Sequence, residues 1–224
     1  MIYSLEEIIE KALIYEKQFS NNHYHGNPYK GIYQYISGKT PIILSAPHAV
    51  KQIRDGRYKK ADIFTGTIGI ILQELTGCHL IYRSYTGDGD ANRDIVCPYK
   101  GYLAEIIKDK NLLYLIDLHG MDKKHPIDID IGTLNGKSAS WSLKKLVINS
   151  FYEFDIHKVK FDHLFDADSK GTVTQTIWQS QAIHCIQMEI NGAYRNIKNT
   201  KNHLNFYRLL CSLENLILSL SKEE

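Results

Sequence analysis

The chain has 224 residues, of which 43% are hydrophobic and 23% are charged, and this composition predicts a single globular domain spanning residues 1–224. The formal net charge is only +2, from 27 basic and 25 acidic residues, so the charge does not favour nucleic acid as a partner. No apolar run approaches the ~20 residues of a membrane span, and the N-terminus lacks the basic region of a secretion signal, which predicts a cytoplasmic protein with no membrane partner.

The spacing of apolar residues predicts a helix and then a pair of strands at the start of the chain. A Ser-x-x-Glu pattern beginning at Ser4 caps an amphipathic helix over residues 4–18. Residues 32–36 alternate like a half-buried strand, and turn residues follow as far as Pro41. The short apolar run over residues 42–46 is typical of a strand covered on both faces. The turn between the two strands predicts a hairpin.

Strand-like and helix-like stretches alternate along the rest of the chain. Strands are predicted over residues 79–83, 112–118, 127–131, 157–161 and 184–190. Helices are predicted over residues 62–76, 98–110, 139–153, 172–178 and 201–221. This alternation is typical of an α/β sheet with right-handed crossovers. The strand over residues 127–131 carries two acids on one face, which favours a position near the edge of the sheet.

The cysteines and the absence of common motifs argue against several classes of catalytic site. The four cysteines, Cys78, Cys97, Cys185 and Cys211, are far apart in sequence, so we expect them to be reduced and mostly buried. His184 adjoins Cys185, but neighbouring residues of a strand point to opposite faces and cannot act together as base and nucleophile. The usual glycine-rich nucleotide motifs and the Gly-x-Ser-x-Gly motif of serine hydrolases do not occur.

Polar side chains follow several predicted buried strands at the point where each strand ends. These residues are His48, Asn92, Arg93, His119 and Glu189. Because ligands bind at the carboxyl ends of the strands in an open α/β sheet, we expect these side chains to share one cleft. Two imidazoles and one carboxylate would make a catalytic zinc site there. The alternative is that His48 and His119 are two unrelated, hydrogen-bonded histidines.

Two carboxylates are candidates for the third metal ligand. Asp62 lies at the start of a predicted helix, where it could instead be the N-cap. Asp55 precedes Gly56 and could instead be a turn residue. Asp117, close to His119 in sequence, is a candidate for orienting the nearby groups.

Glu189 and Arg93 are the candidates for acting on the substrate. Glu189 lies in an apolar strand, where a carboxylate is costly to bury without a partner. It is therefore a candidate general base. The alternative is a salt bridge to Arg195. Arg93 could hold a substrate carboxylate through its planar guanidinium, and its alternative role is to pair with Asp90 or Asp94.

Five short segments, taken in order, carry a family resemblance. They are Ser45-Ala-Pro-His48, Ala61-Asp62, Asp90-Ala-Asn-Arg93, Ile116-Asp-Leu-His-Gly120, and Ile186-Gln-Met-Glu-Ile-Asn191 followed by Tyr194. Together they resemble the N-formylglutamate amidohydrolase family, over about residues 40–196. The resemblance implies a three-layer αβα sandwich with a mixed central sheet, the phosphorylase/hydrolase-like fold of zinc carboxypeptidases and related deacylases.

The resemblance also implies roles for individual residues. It makes His48, Asp62 and His119 the Zn²⁺ ligands and Glu189 the general base and acid. It assigns the binding of a substrate carboxylate to Asn92, Arg93 and Tyr194. Zinc carboxypeptidases carry His-x-x-Glu, whereas the third residue after His48 is Lys51, so the carboxylate ligand must come from elsewhere in the chain. Asp55 therefore remains the rival of Asp62.

The predicted function is zinc-dependent hydrolysis of the amide C–N bond of a small N-acyl amino acid by metal-activated water. The expected partner is an N-formylglutamate-like amino acid or a short peptide with a free carboxylate. One alternative is a carboxypeptidase-like or poly-γ-glutamyl peptide hydrolase. Another is a non-catalytic protein that binds a carboxylate ligand in the same cleft.

Overall fold

A computed structural model describes residues 3–87 and 89–222. Its strands are β1 (Tyr33–Ile36), β2 (Ile42–Ala46), β3 (Gln52–Arg54), β4 (Arg57–Lys59), β5 (His79–Arg83), β6 (Tyr114–Met121), β7 (Ile129–Gly132), β8 (Val159–Phe161) and β9 (His184–Asn191). Its helices are α1 (Leu5–Tyr24), α2 (Thr65–Thr76), α3 (Pro98–Lys110), α4 (Trp141–Tyr152), α5 (Val173–Gln181), α6 (Gly192–Arg195) and α7 (His203–Leu220). The predicted alternation of strands and helices is confirmed, whereas β3, β4 and α6 were not predicted.

Seven strands form one mixed sheet, in the order β1-β5-β2-β6-β9-β7-β8. The four central strands, β5, β2, β6 and β9, are parallel to one another. Antiparallel pairing joins β1 to β5 and β7 to β9, and β8 runs parallel to β7. β3 and β4 form a separate hairpin. The parallel strands therefore bring their carboxyl ends to a common edge of the sheet.

Side chains alternate across the sheet and separate two hydrophobic cores. Leu44 and Ile116 pack into a core with α1, α2, α4 and α7, whereas Ile43 and Leu115 pack into a second core with α3 and α5. This alternation follows from the two-residue period of a strand. Because helices cover both faces of the mixed sheet, the three-layer αβα architecture implied by the resemblance is confirmed.

The predicted hairpin between residues 32–36 and 42–46 is wrong. β1 pairs with β5, with Tyr33 opposite Arg83, and not with β2. β2 has β5 on one side and β6 on the other, both parallel to it. Both edges of β2 are thus paired, and β1 joins the sheet at the outer edge of β5.

The strand over residues 127–131 lies near the edge of the sheet, as predicted, because β7 is the last strand but one. β7 lies between β9 and β8 and is buried along its length. The carboxylate of Asp130 accepts hydrogen bonds from the backbone N–H groups of His163, Leu164 and Phe165. An acid within a sheet is stable there because backbone donors satisfy it. The loop that supplies these donors is thereby fixed against the sheet.

The start of α2 differs from the prediction in a way that matters for the site. The helix begins at Thr65, and its N-cap is Phe64, which has a left-handed backbone conformation with φ of 68°. Asp62 therefore lies before the helix and is not its N-cap. Similarly, β6 continues beyond the predicted end at residue 118, so that His119 belongs to the strand. Both changes place chemically important side chains at the edge of the sheet.

The cysteines match their prediction. All four are free and buried. Burial raises the pKa of the Cys185 thiol. The ring of the neighbouring His184 stacks on Tyr114, so His184 does not act as a base for this thiol. Within the described ranges 3–87 and 89–222, no helix is both long enough and apolar enough to span a membrane.

Candidate metal centre

Two imidazoles meet at the carboxyl-terminal edge of the sheet. In the parallel pair β2 and β6, Ser45 lies opposite Asp117. His48 lies just beyond Ser45 and His119 just beyond Asp117, so both histidines reach the same edge. Their ring centroids are 4.7 Å apart, with an angle of 81° between the ring planes. The two histidines therefore belong to one site.

Asp62 completes a buried group with these imidazoles. Its backbone N–H donates to the carbonyl of His48, with an N···O distance of 2.8 Å. Its Oδ2 lies 3.2 Å from His48 Nδ1 and 3.4 Å from His119 Nδ1. One ligand atom from each of the three residues lies within 4.8 Å of the others. This group could bind a metal ion.

A buried carboxylate orients each imidazole from behind. Asp90 Oδ1 lies 2.7 Å from His48 Nε2, and Asp117 Oδ2 lies 2.9 Å from His119 Nε2. Because a carboxylate only accepts hydrogen bonds, each Nε2 carries a proton and each Nδ1 faces Asp62. A carboxylate behind the ligating histidine is the usual arrangement around protein-bound metal ions. Two imidazoles and one carboxylate are also a donor set of catalytic zinc sites, so the residues fit zinc.

The acids around the histidines set the protonation of the group. Burial lowers the pKa of His119, but the carboxylates of Asp117 and Asp62 outweigh burial and raise this pKa to about 10. Burial raises the pKa of Asp62, but the Lys59 ammonium and the two imidazoles hold it well below its ordinary value. A metal ion that binds here must therefore displace a proton from His119.

Lys59, at the end of β4, reaches into the same group. Its Nζ lies 3.0 Å from His48 Nδ1 and 3.3 Å from Asp62 Oδ1. The ammonium thus contacts two of the three side chains that could hold a metal ion, and it carries a positive charge as the metal would. Nothing in the sequence pattern had identified Lys59, because its contact depends on how the β3–β4 hairpin folds over the sheet.

Glu189 lies beside this group on β9, opposite His119 in the strand register. Its side chain is buried and accepts a hydrogen bond from Gln187 Nε2, with an N···O distance of 3.2 Å. Burial raises its pKa to about 7. The alternative salt bridge to Arg195 is not observed, because that guanidinium donates to the backbone carbonyls of Ile63, Met121 and Ile190.

Arg93 lies at the cleft but pairs with neither predicted acid. Its Nη1 is 2.5 Å from Oδ2 of Asp55, whose side chain is 72% exposed in the turn between β3 and β4. Asp90 is instead paired with Arg54 Nη2, at 2.6 Å. The structure thus brings Asp62 to the imidazoles and leaves Asp55 at the surface.

The other two predicted substrate-binding residues differ in position. Asn92 lines the cleft, where its amide donates to Gln187 Oε1 at 3.1 Å and accepts from Val173 N at 2.8 Å. It therefore ties the loop after β5 to β9 and to the start of α5. Tyr194 does not line this cleft. It packs against the first hydrophobic core, and burial together with Asp128 raises the pKa of its hydroxyl to about 12.

The cleft above the metal group has a volume of about 510 Å³. This volume suits a small-molecule substrate. One wall is the loop over residues 164–167, which Asp130 fixes through the backbone hydrogen bonds described above. Its lining carries four cationic side chains, Arg54, Lys59, Arg93 and Lys170, and four carboxylates, Asp62, Asp122, Asp166 and Glu189. The loop, Arg54 and Lys170 were not predicted as part of the site.

Comparisons with known proteins give a family match and similar folds. A family model of the N-formylglutamate amidohydrolases matches residues 66–194, more than half of the chain. The fold is similar to that of an N-formylglutamate amidohydrolase from Ralstonia eutropha, with a TM-score of 0.59 and 13% identity over 85% of this chain and 97% of that one. It is also similar to a bacteriophage poly-gamma-glutamate hydrolase, with a TM-score of 0.53 and 16% identity over 86% of this chain and 89% of that one. No curated protein sequence matches the chain.

Proposed function

The chain belongs to the N-formylglutamate amidohydrolase family, and from this we infer that it hydrolyses the amide C–N bond of a small N-acyl amino acid in a zinc-dependent reaction. The observation that carries this proposal is the buried group of two imidazoles and one carboxylate beside Glu189. A binding protein would need the cleft but would have no need of Glu189, a buried carboxylate that lines the cleft and contacts neither histidine through a hydrogen bond.

His48, Asp62 and His119 would hold the ion in this proposal. The carboxylates of Asp90 and Asp117 support it, because they leave both Nδ1 atoms directed at Asp62. A Zn²⁺ ion in such a site supplies Lewis-acid chemistry, since it polarises an amide carbonyl and makes water more acidic. The remaining steps are carried by side chains of the protein.

Glu189 is the proposed proton carrier. It is buried at the floor of the cleft and accepts only the Gln187 hydrogen bond among the described residues, so its carboxylate keeps acceptor capacity for a water molecule. In the proposed reaction it takes a proton from the attacking water and returns it to the amine that leaves. Both transfers need the same side chain to be within hydrogen-bond reach of the reacting atoms.

Arg93 is proposed to bind the free carboxylate of the substrate. Its present partner, Asp55, is on an exposed turn, so exchanging it for a substrate carboxylate does not leave a buried charge unpaired. A guanidinium binds a carboxylate through two parallel hydrogen bonds and thereby fixes its orientation. Asn92 would act in binding by holding this loop against β9 and α5.

A poly-γ-glutamyl hydrolase is the second candidate. The similar phage protein is a poly-gamma-glutamate hydrolase, and Arg54, Arg93 and Lys170 at this cleft would bind a substrate with several carboxylates. A cytoplasmic location and a single domain over the whole chain stay predictions.

The test is a panel of substrates offered to the zinc-loaded protein. N-formyl-, N-acetyl- and N-succinylglutamate and a γ-linked glutamate oligomer distinguish a deacylase from a peptide hydrolase. We expect release of the free amino acid from an N-acyl glutamate, loss of this activity when a chelator removes the ion, and its return when Zn²⁺ is added back. A zinc-loaded protein that hydrolyses none of the panel would contradict the proposal.

A further inference from the structure

A second pocket, of about 540 Å³, adjoins the cleft. Met121 and Asp122, which follow His119 on the chain, line both the cleft and this pocket. On the opposite side, Lys59 lines the cleft and the next residue, Lys60, lines the pocket. The two cavities therefore adjoin at Met121 and Asp122, and one molecule long enough could extend from one to the other.

The pocket is rich in positive charge. Lys51, Lys60 and Lys123 line it together with the buried Arg195, against a single carboxylate, Asp122. Among the described residues, neither Lys60 nor Lys123 has a hydrogen-bonded or ion-paired partner, and both are exposed. Unpaired lysines beside a cavity attract an anion and can bind it without breaking existing contacts.

Neutral donors, Asn196 and Asn199, line the same pocket. The side-chain oxygens of Asn196 and Asn199 accept hydrogen bonds from the backbone N–H groups of Lys198 and Lys201. Their oxygens are thus occupied, whereas neither Nδ2 has a partner in the part of the chain that the structure describes. An amide N–H beside an ammonium is a suitable donor for a carboxylate oxygen.

We propose that this pocket binds a second carboxylate of an extended acidic substrate, whose scissile amide lies in the neighbouring cleft. The substrate class extends the N-acyl amino acid of the proposed function to an N-acyl acidic peptide of at least two residues. This inference rests on the proposed function for the location of the scissile amide. It adds a specificity site that is formed by Lys60 and Lys123 and is separate from the metal group.

The test measures binding by calorimetry to the zinc-loaded Glu189→Gln protein, so that slow hydrolysis does not disturb the measurement. The two probes are N-acetylglutamate and N-acetylglutamyl-glutamate. We expect the longer compound to bind about three- to tenfold more tightly, as two exposed ion pairs would provide. The double variant Lys60→Ala/Lys123→Ala should abolish this difference. The matched control Lys145→Ala/Lys160→Ala removes two exposed lysines that line neither cavity and should keep this difference.

Three outcomes would overturn the inference. The first is equal binding of the two compounds, and the second is a difference that survives in Lys60→Ala/Lys123→Ala. The third concerns N-acetylglutamate measured in the presence of free glutarate. If it then binds as tightly as N-acetylglutamyl-glutamate does, the pocket is an independent anion site and not part of the substrate site. Hydrolysis by the unaltered protein is measured separately. A protein that binds the longer compound better but hydrolyses neither would refute the proposed function and support the second pocket.

Discussion

Two buried glutamates show how differently a carboxyl group is held in the helical layer and in the cleft. Glu16 of α1 is 3% exposed and Glu189 of β9 is 7% exposed, and burial raises the pKa of both. The carboxylate of Glu16 accepts three hydrogen bonds, from the Tyr24 hydroxyl, the Phe64 N–H and the Thr67 hydroxyl. Glu189 accepts one, from Gln187. Burial is therefore common to both, and the number of donors separates them.

The difference indicates two uses of a buried acid. Glu16 lies at the amino end of α2, where the helix dipole favours negative charge, and it fixes the backbone next to Asp62. Its acceptor capacity is largely used by the protein itself, which suits a structural role. Glu189 retains acceptor capacity at the floor of a cleft, which suits a role in handling protons of water and substrate. The variants below test this distinction.

The largest effect is expected from Glu189→Gln. The amide keeps the size of the side chain but cannot take a proton from water, so kcat should fall about 10²- to 10⁴-fold. Zinc content and the melting temperature should stay close to those of the unaltered protein. The measurement is the initial rate of N-acyl glutamate hydrolysis at saturating substrate, with Glu105→Gln on the surface of α3 as the matched control. A rate that is unchanged in Glu189→Gln would show that another group carries the proton.

Glu16→Ala should instead affect stability. It leaves the Phe64 N–H and two hydroxyl groups without their buried acceptor, which should lower the free energy of unfolding by about 2–4 kcal/mol. Urea denaturation measures this, and Glu10→Ala, on the exposed face of the same helix, is the control. The comparison between the two glutamates fails if Glu16→Ala is as stable as the control.

A smaller effect is expected from changing Asp117, the carboxylate that contacts His119 on the side away from Asp62. Asp117→Asn keeps an acceptor for His119 Nε2–H but removes its negative charge, so the affinity for Zn²⁺ should fall about 10- to 100-fold. Competition with a chromophoric chelator measures this affinity. Asp109→Asn, exposed on α3, should bind Zn²⁺ as tightly as the unaltered protein. Equal affinities in the two variants would mean that Asp117 does not orient the ligand.

The smallest effect concerns Lys59. Its ammonium contacts His48 and Asp62, so it competes with a metal ion for both side chains. Lys59→Met should therefore bind Zn²⁺ about three- to tenfold more tightly in the same chelator assay. Lys110→Met, at the end of α3, is the control. Weaker binding of Zn²⁺ by Lys59→Met would indicate that the lysine holds His48 and Asp62 in position rather than competing with the metal ion for them.

The sequence pattern best predicted those site residues whose position depends on a single strand. His48, His119 and Glu189 could be identified because each lies at the end of a buried run, and parallel strands bring such ends to a common edge. The α/β sheet was predictable for a related reason, since alternating strands and helices are local patterns, whereas the three-layer architecture was implied by the resemblance. The resemblance of five short segments added the expectation for Asp62.

What could not be predicted depends on contacts between distant parts of the chain. The choice between Asp62 and Asp55 depends on how the β3–β4 hairpin folds back, which neither residue's own neighbours reveal. The pairing of β1 with β5 depends on which edge remains free after β2 is enclosed. The role of Asp130 depends on a loop thirty residues further along the chain, which supplies its backbone donors.

The central claim is that His48, Asp62 and His119 together bind one zinc ion through the two Nδ1 atoms. Its most direct test is a crystal structure of the zinc-loaded protein with anomalous scattering recorded at the zinc edge. We expect one peak, with bonds of about 2.0–2.1 Å to Nδ1 of each histidine and a bond of similar length to a carboxylate oxygen of Asp62. A peak at another location, or bonds to Nε2 after displacement of Asp90 and Asp117, would contradict it.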